Sequence, residues 1–169
     1  MTQGLVILVM GVSGSGKTTI GRLLAERLSF QFIDGDDLHP DANKRKMGQG
    51  IPLTESDRKP WLDLIAERIS GWLAEGERVV LACSALTESH RRVLIKNHDR
   101  VPIIFLSGSF DLIEKRLAMR KGHFFDSRLL SSQFTTLEAP KHAIKLDISA
   151  NPEELTEQAC ICLKPYLNQ

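Results

Sequence analysis

Gly11-Val12-Ser13-Gly14-Ser15-Gly16-Lys17-Thr18 has the spacing G-x-x-x-x-G-K-[ST], whose chemistry is the holding of nucleotide phosphates. The glycines let the backbone curl until successive amide N–H groups converge on phosphate oxygens, with the positive end of the next helix behind them. Gly11, Ser13, Gly14, Ser15 and Gly16 are therefore expected around the phosphates, with Thr19 beside them. Lys17 would reach the outer phosphates, and Thr18 would offer a hydroxyl to Mg²⁺, which favours a few hard oxygens plus water and substrate phosphates.

A phosphate loop does not say what is done with the nucleotide. A GTPase would need a base-reading N-K-x-D, and Asn43-Lys44-Arg45-Lys46 fails at its last position. The stretch Val79-Val80-Leu81-Ala82-Cys83-Ser84 ends in a thiol and a hydroxyl where a large ATPase would place a metal-holding acid. That acid must come from elsewhere, and Asp34-Gly35-Asp36-Asp37 supplies it. We expect Asp34 to join the Mg²⁺ shell through water, and Asp36 to orient an acceptor hydroxyl and take its proton late in transfer. The competing reading is that these carboxylates merely cap the helix opening near Pro40.

His39, Lys44, Arg45, Lys46, Arg58 and Lys59 follow, a density of cations that suggests an anionic acceptor. Arginine grips a carboxylate or phosphate as a bidentate fork, so Arg58 is the first choice for that contact and Lys46 the second. His39 either donates to a sugar hydroxyl or simply starts a helix before Pro40. Farther on, Arg116 and Arg120 are four apart and share a helical face, as a pair closing over nucleotide and phosphates would. Lys121 and His123 follow at Gly122; the alternative is a basic helix end favoured by its own dipole.

These residues need a scaffold, and the chain alternates short apolar runs with amphipathic stretches, the pattern of a parallel sheet covered by helices on both faces. Strands are expected at 5–10, 30–33, 79–83, 102–106 and 144–148, and a helix at 17–28 with Ile20, Leu23, Leu24 and Leu28 inward. A second helix carries Trp61, Leu62, Ile65, Ile69, Trp72 and Leu73 behind a capping box at Thr54 and Asp57; Pro60 predicts a bend or a late start, and Gly76 a stop. The last helix opens on Asn151 and Pro152 and turns Leu155, Ala159, Cys162 and Tyr166 inward. The fold class is therefore α/β, three layers around a five-stranded parallel sheet. The 169 residues make one domain, with a core at 1–36, 77–115 and 141–169, a substrate-binding segment at 37–76 and a lid at 116–140.

With 42% hydrophobic and 25% charged residues the composition is that of an ordinary globular chain. A formal charge of +1 gives no electrostatic footprint for nucleic acid or an anionic membrane, so neither is an expected partner. The run at 5–10 is too short to span a bilayer and lacks the basic flank of a signal peptide, which points to the cytoplasm. Cys83 stands apart, and Cys160 and Cys162 diverge on a helix, so all three are expected as buried, reduced thiols.

The motifs together resemble those of bacterial gluconate kinases of the gluconokinase family, small relatives of shikimate and adenylate kinases. The likeness runs from Gly11 to Pro140 and rests on the phosphate loop, Asp34-Gly-Asp-Asp-Leu-His-Pro, Asn43 with Lys46-Met47, and Gly50-Ile-Pro-Leu. It continues in Asp57-Arg58 with Pro60-Trp61-Leu62, Cys83-Ser-Ala-Leu, the stretch from Arg120 to Phe124, Ser132-Gln133-Phe134, and Thr136-Leu137-Glu138 with Pro140. The resemblance implies ATP-dependent phosphorylation of D-gluconate at its terminal hydroxyl, with a mobile lid and usually a homodimer. Asp36, His39, Asn43, Ser84, Arg91 and Gln133 would then meet the acid's hydroxyls, and His123 would join the site. By likeness to adenylate kinases, Arg116 would lie against adenine and Arg120 on the phosphates, with 149–152 bordering the base. Two other readings remain open: a kinase of another small anion such as shikimate or a nucleoside monophosphate, and a non-catalytic ATP sensor.

Overall fold

The computed structural model describes residues 3–120 and 127–168. Its five strands are all parallel in the order β2-β3-β1-β4-β5, with β1 over Leu5–Met10, β2 over Gln31–Asp34, β3 over Arg78–Ala82, β4 over Ile103–Ser107 and β5 over Ile144–Asp147. β1 lies at the centre and has no exposed residue: all six are at 0%. Its alternation divides the molecule. Leu5, Ile7 and Val9 face a core built with α1 (Lys17–Leu28), α5 (Phe110–Ala118), α6 (Ser127–Thr136) and α7 (Pro152–Leu167), while Val6, Leu8 and Met10 face one built with α3 (Glu55–Ala74) and α4 (Glu88–Ile95). Burying each such side chain contributes about 1.5–3 kcal/mol, so the two faces hold the central strand from opposite sides.

The three-layer α/β fold is as expected, with edges displaced by a residue. β2 and β4 each begin and end one residue later, β3 begins and ends one residue earlier, and β5 stops one residue short; the ladder pairs Asp34 with Ala82 and lets Cys83 leave the sheet. The helix with the buried tryptophans does not start late. Thr54 and Asp57 close a reciprocal capping box, α3 runs from Glu55 through Pro60, and burial of Trp61 and Leu62 offsets the one hydrogen bond that proline removes. Gly76, at φ +75°, ends it: the N–H of Glu77 donates to the Trp72 carbonyl at 2.8 Å, and that of Gly76 to Leu73. α3 belongs to the core layer, so the insertion that stands off the sheet is the stretch before Thr54, with a 3₁₀ turn at Gly35–Leu38 and α2 at Asp41–Gly48.

One inward face was misjudged. On α7 the buried positions are Leu155, Thr156, Ala159 and Leu163; Cys162 is exposed and Cys160 half-buried, so of the three thiols only Cys83 is buried as expected.

Candidate active site

At the carboxyl edge of the central strand, where open α/β sheets bind ligands, the chain passes directly from β1 into the phosphate loop. Gly14 (φ +79°) and Gly16 (φ +99°) take left-handed conformations that a side chain would resist. Gly16 caps α1 with no side-chain hydrogen bond, so the first N–H groups of that helix remain turned toward an anion. The Ser15 hydroxyl is buried with no hydrogen-bond partner among the described residues, as suits a loop that binds a ligand. Lys17 donates to the Val12 carbonyl at 3.1 Å; burial pushes its ammonium below the ordinary lysine range, while Asp36 and Asp34 pull the other way.

The acid missing from the end of β3 stands at the end of β2. Asp34 Oδ2 accepts from the Thr18 hydroxyl at 2.9 Å, and Oδ1 accepts from the Asp36 N–H at 3.0 Å, so one carboxylate both caps the 3₁₀ turn and meets the phosphate loop. The cap it forms is on the 3₁₀ turn at Gly35–Leu38 and not on the helix after Pro40, whose start has no side-chain cap. Thr18 and Asp34 are hard oxygen donors side by side, a set that fits Mg²⁺ sharing its remaining positions with water and phosphate; no cluster of three or more His, Cys, Asp or Glu ligands occurs among the described residues.

Asp36 is carried into the cleft by a turn with no room to move. A Cβ on Gly35 would lie 2.7 Å from the Ala82 carbonyl oxygen, and the Gly35 carbonyl accepts from the Trp61 indole N–H at 2.8 Å. Desolvation in the concave site raises the Asp36 carboxyl above the ordinary aspartate range, against the pull of Lys17. The His39 ring stacks on Trp61 at 3.9 Å, with its Nε2 4.0 Å from Asp36 Oδ1. Burial, together with the Lys44 and Arg58 cations, pushes His39 down to about 4, so it is a neutral imidazole at ordinary pH.

Ser13, Lys17, Asp36, His39, Arg58, Ser84 and Gln133 line one cleft with Met47, Pro52, Leu53, Trp61, Leu86, Leu129 and Ser132. Arg58 is 15% exposed and donates to Glu55 Oε1 at 2.7 Å; Glu55 Oε2 in turn accepts from His90 Nε2 at 3.0 Å. From α6, the Gln133 amide brackets Ser13, accepting from its backbone N–H at 2.7 Å and donating to its hydroxyl at 3.0 Å.

Asn43, bonded to His39 and the Asp57 carbonyl, does not line this cleft, and neither do two of the expected cations. Lys46 donates to both oxygens of Asp57, at 2.8 and 3.0 Å, and with the Thr54 N–H holds that carboxyl down to about 2; it braces the capping box of α3 and is no clamp on the acceptor. Arg91 is buried and donates to the carbonyls of Ala85, Leu86 and Glu138, tying the loop after β3 to the end of α6. Its sequence looked like a binding arginine because nothing in spacing shows which carbonyls will converge on a guanidinium. His123, with Lys121, lies outside the described residues. Glu55 and His90 were missed; the Glu55–Arg58 spacing of three on one helix was the available signal. The Met47, Pro52, Leu53 and Leu129 wall was missed because it is assembled across elements.

On the other side of the phosphate loop a recess of about 290 Å³ is lined by Gly14, Ser15, Gly16, Thr19, Arg116, Arg120, Ala150, Pro152 and Leu155. Arg116 donates to the Ile148 carbonyl at the end of β5. This brings Arg116, Arg120 and the loop after β5 around one space suited to a nucleotide. A larger hollow of about 660 Å³, between Gly4, Leu73–Gly76 and Asn97–Arg100, is at the opposite edge of the sheet and holds none of this chemistry.

A family model described as shikimate kinase matches residues 13–144. The chain is 41% identical to a probable gluconokinase of Mus musculus over 94% of its own length and 97% of the mouse protein. It is 42% identical to the thermosensitive gluconokinase of Escherichia coli K12, covering 89% and 83%. The crystal structure of a gluconokinase from Sinorhizobium meliloti 1021 superposes with a TM-score of 0.88 at 41% identity, over 99% of this chain and 96% of that one. Phosphate loop, acidic turn and cationic cleft on this scaffold are those of an ATP-dependent kinase, and the chain belongs to the gluconokinase family.

Proposed function

We propose that this kinase transfers the γ-phosphoryl group of ATP to the 6-hydroxyl of D-gluconate, giving 6-phospho-D-gluconate and ADP. The observation that carries this reading is the shared cleft: the loop that holds the donor phosphates and the residues suited to a hydroxylated acid, Asp36, His39 and Arg58, line the same space. Relatives named as gluconokinases, matching nearly the whole chain, support gluconate over shikimate or a nucleoside monophosphate.

In this reading Arg58 grips the carboxylate and fixes which end of the open chain reaches the phosphate loop. Ser84 and Gln133 meet hydroxyls along the chain. Asp36 accepts the hydrogen of the 6-hydroxyl as its oxygen bonds to the γ-phosphorus and the bond to the β–γ bridging oxygen breaks, leaving ADP. Its raised carboxyl is a better match to a proton that leaves late. Lys17 and Arg120 stabilise the charge on the transferring group, and Arg116 and Thr19 hold the nucleotide in the second recess. Thr18 and Asp34 would hold Mg²⁺, which when bound screens the phosphate oxygens. The family likeness supports a homodimer as part of this proposal, and the short apolar run at 5–10 supports a cytoplasmic location; light scattering of the purified chain tests the first.

A coupled ADP-release assay offering gluconate, shikimate and AMP separately tests the substrate. Turnover is expected with gluconate. Turnover with AMP or shikimate and not gluconate refutes it, and ATP binding without turnover of any acid makes the chain a sensor.

A further inference from the structure

We infer that Asn43 is a positioning residue that fixes His39 as its Nε2–H tautomer, so that the acceptor cleft presents a neutral donor opposite the Asp36 carboxylate. This rests on the reading of that cleft as the site of the acceptor alcohol.

The argument starts from one amide nitrogen. Asn43 is 3% exposed and its Nδ2 lies 2.8 Å from the backbone carbonyl of Asp57 and 3.2 Å from His39 Nδ1. A carbonyl oxygen only accepts, so the atom facing it must be the NH₂ group; turning the amide over would set two acceptor oxygens against each other. The second hydrogen of that NH₂ then points at His39 Nδ1, which has to be the bare, accepting nitrogen. In a neutral imidazole the proton is consequently on Nε2. The ring has no freedom to answer otherwise, because it is 6% exposed and stacked at 15° on Trp61, itself held by its bond to Gly35.

Nε2 faces Asp36 Oδ1 across 4.0 Å, too far for a good hydrogen bond between them. An oxygen bonded to both at about 2.8 Å would subtend about 90°, a tight but workable angle for a hydroxyl that accepts from His39 and donates to Asp36. Such a donor and acceptor pair selects an alcohol. A carboxylate has no hydrogen for Asp36, and an ammonium has no lone pair for His39. The other tautomer would face the alcohol with two acceptors and leave its oxygen lone pairs opposed.

The test uses the full chain, with ¹⁵N–¹H long-range correlation spectra of its histidine side chains and His39 assigned by loss of its signals in His39→Gln. A protonated Nε2 and bare Nδ1 are expected in the wild-type protein at neutral pH; a protonated Nδ1, or a mixture of tautomers, overturns the proposal whatever the substrate proves to be. In Asn43→Asp the new carboxylate should draw the proton to Nδ1 and lower kcat/KM for gluconate at least tenfold with KM for ATP unchanged. A folded variant with the shifted proton and undiminished gluconate turnover also overturns it. Should that variant fail to fold, the wild-type spectrum decides. Absence of gluconate turnover by the wild-type chain would instead refute the substrate, leaving the tautomer measured on its own.

Discussion

Replacing Gly35 with alanine adds one methyl group at the point where the acidic turn leaves the sheet. The new Cβ would stand 2.7 Å from the Ala82 carbonyl oxygen, with Cys83 Cβ at 3.3 Å and Ile65 Cδ1 at 3.5 Å. Relief to an ordinary contact of about 3.4 Å requires movement of about 0.7 Å, and the carbonyl cannot supply it because Ala82 sits in the ladder beside Asp34 and Val9. The turn must move outward, carrying Asp36 and stretching the 2.8 Å bond from Trp61. Overpacking of this kind costs about 1–3 kcal/mol, which in a domain of this size lowers Tm by about 3–10 °C. A displacement approaching 1 Å at a reacting group costs up to about 10²-fold in rate, so kcat with gluconate should fall by one to two orders of magnitude while ATP affinity is kept. Thermal unfolding and the coupled ADP-release assay read the two effects. A Gly35→Ala protein with wild-type Tm and kcat within twofold would refute the claim that the close approach of this turn to β3 positions Asp36.

Asp36→Ala should reduce turnover at least 10²-fold with ATP binding intact by isothermal titration, since the variant lacks the group that receives the hydroxyl proton. Arg58→Lys keeps the charge but not the fork and should raise KM for gluconate about tenfold with KM for ATP unchanged; equal change in both refutes the clamp. Because His39 is held down to about 4, the unfolded chain takes up its proton first as pH falls below 6.5. Its contribution to stability is therefore complete above pH 6.5 and is lost towards pH 4, by about 3 kcal/mol at most; urea unfolding of His39→Gln at pH 7 and 4.5 should show a flatter dependence than the wild type. Cys83, buried and pushed up to about 12, should resist a thiol reagent at pH 8 until denaturant is added, whereas exposed Cys162 reacts at once.

The phosphate loop and the acidic turn were legible because each is a local device: a run of glycines, a lysine and carboxylates at fixed offsets determine their own geometry once a strand precedes them. Five strands were legible for the same reason, through short apolar runs whose limits then shifted by a residue as the ladder chose its pairs. The cations were harder. Arg58, Lys46 and Arg91 are alike in sequence, and only long-range packing decides that one faces the cleft, one braces Asp57 and one gathers carbonyls from two loops. Likewise Pro60 argued for a helix break on local grounds, and burial of Trp61 overruled it.

The placement of the phosphate loop on β1 has an evolutionary side. That strand is flanked by paired neighbours and sealed by a core on each face, so it should be among the last segments to exchange amide hydrogens with solvent. The phosphate loop is rooted there, whereas the cleft beside it takes Asp36 from a short turn, His39 from the end of that turn, Met47 from a mostly solvated helix, and Pro52 and Leu53 from the loop that follows. Mutation can remodel that periphery without disturbing the element on which folding depends, a division of labour by which one scaffold could be retooled for new acceptors while its use of the phosphoryl donor is inherited unchanged.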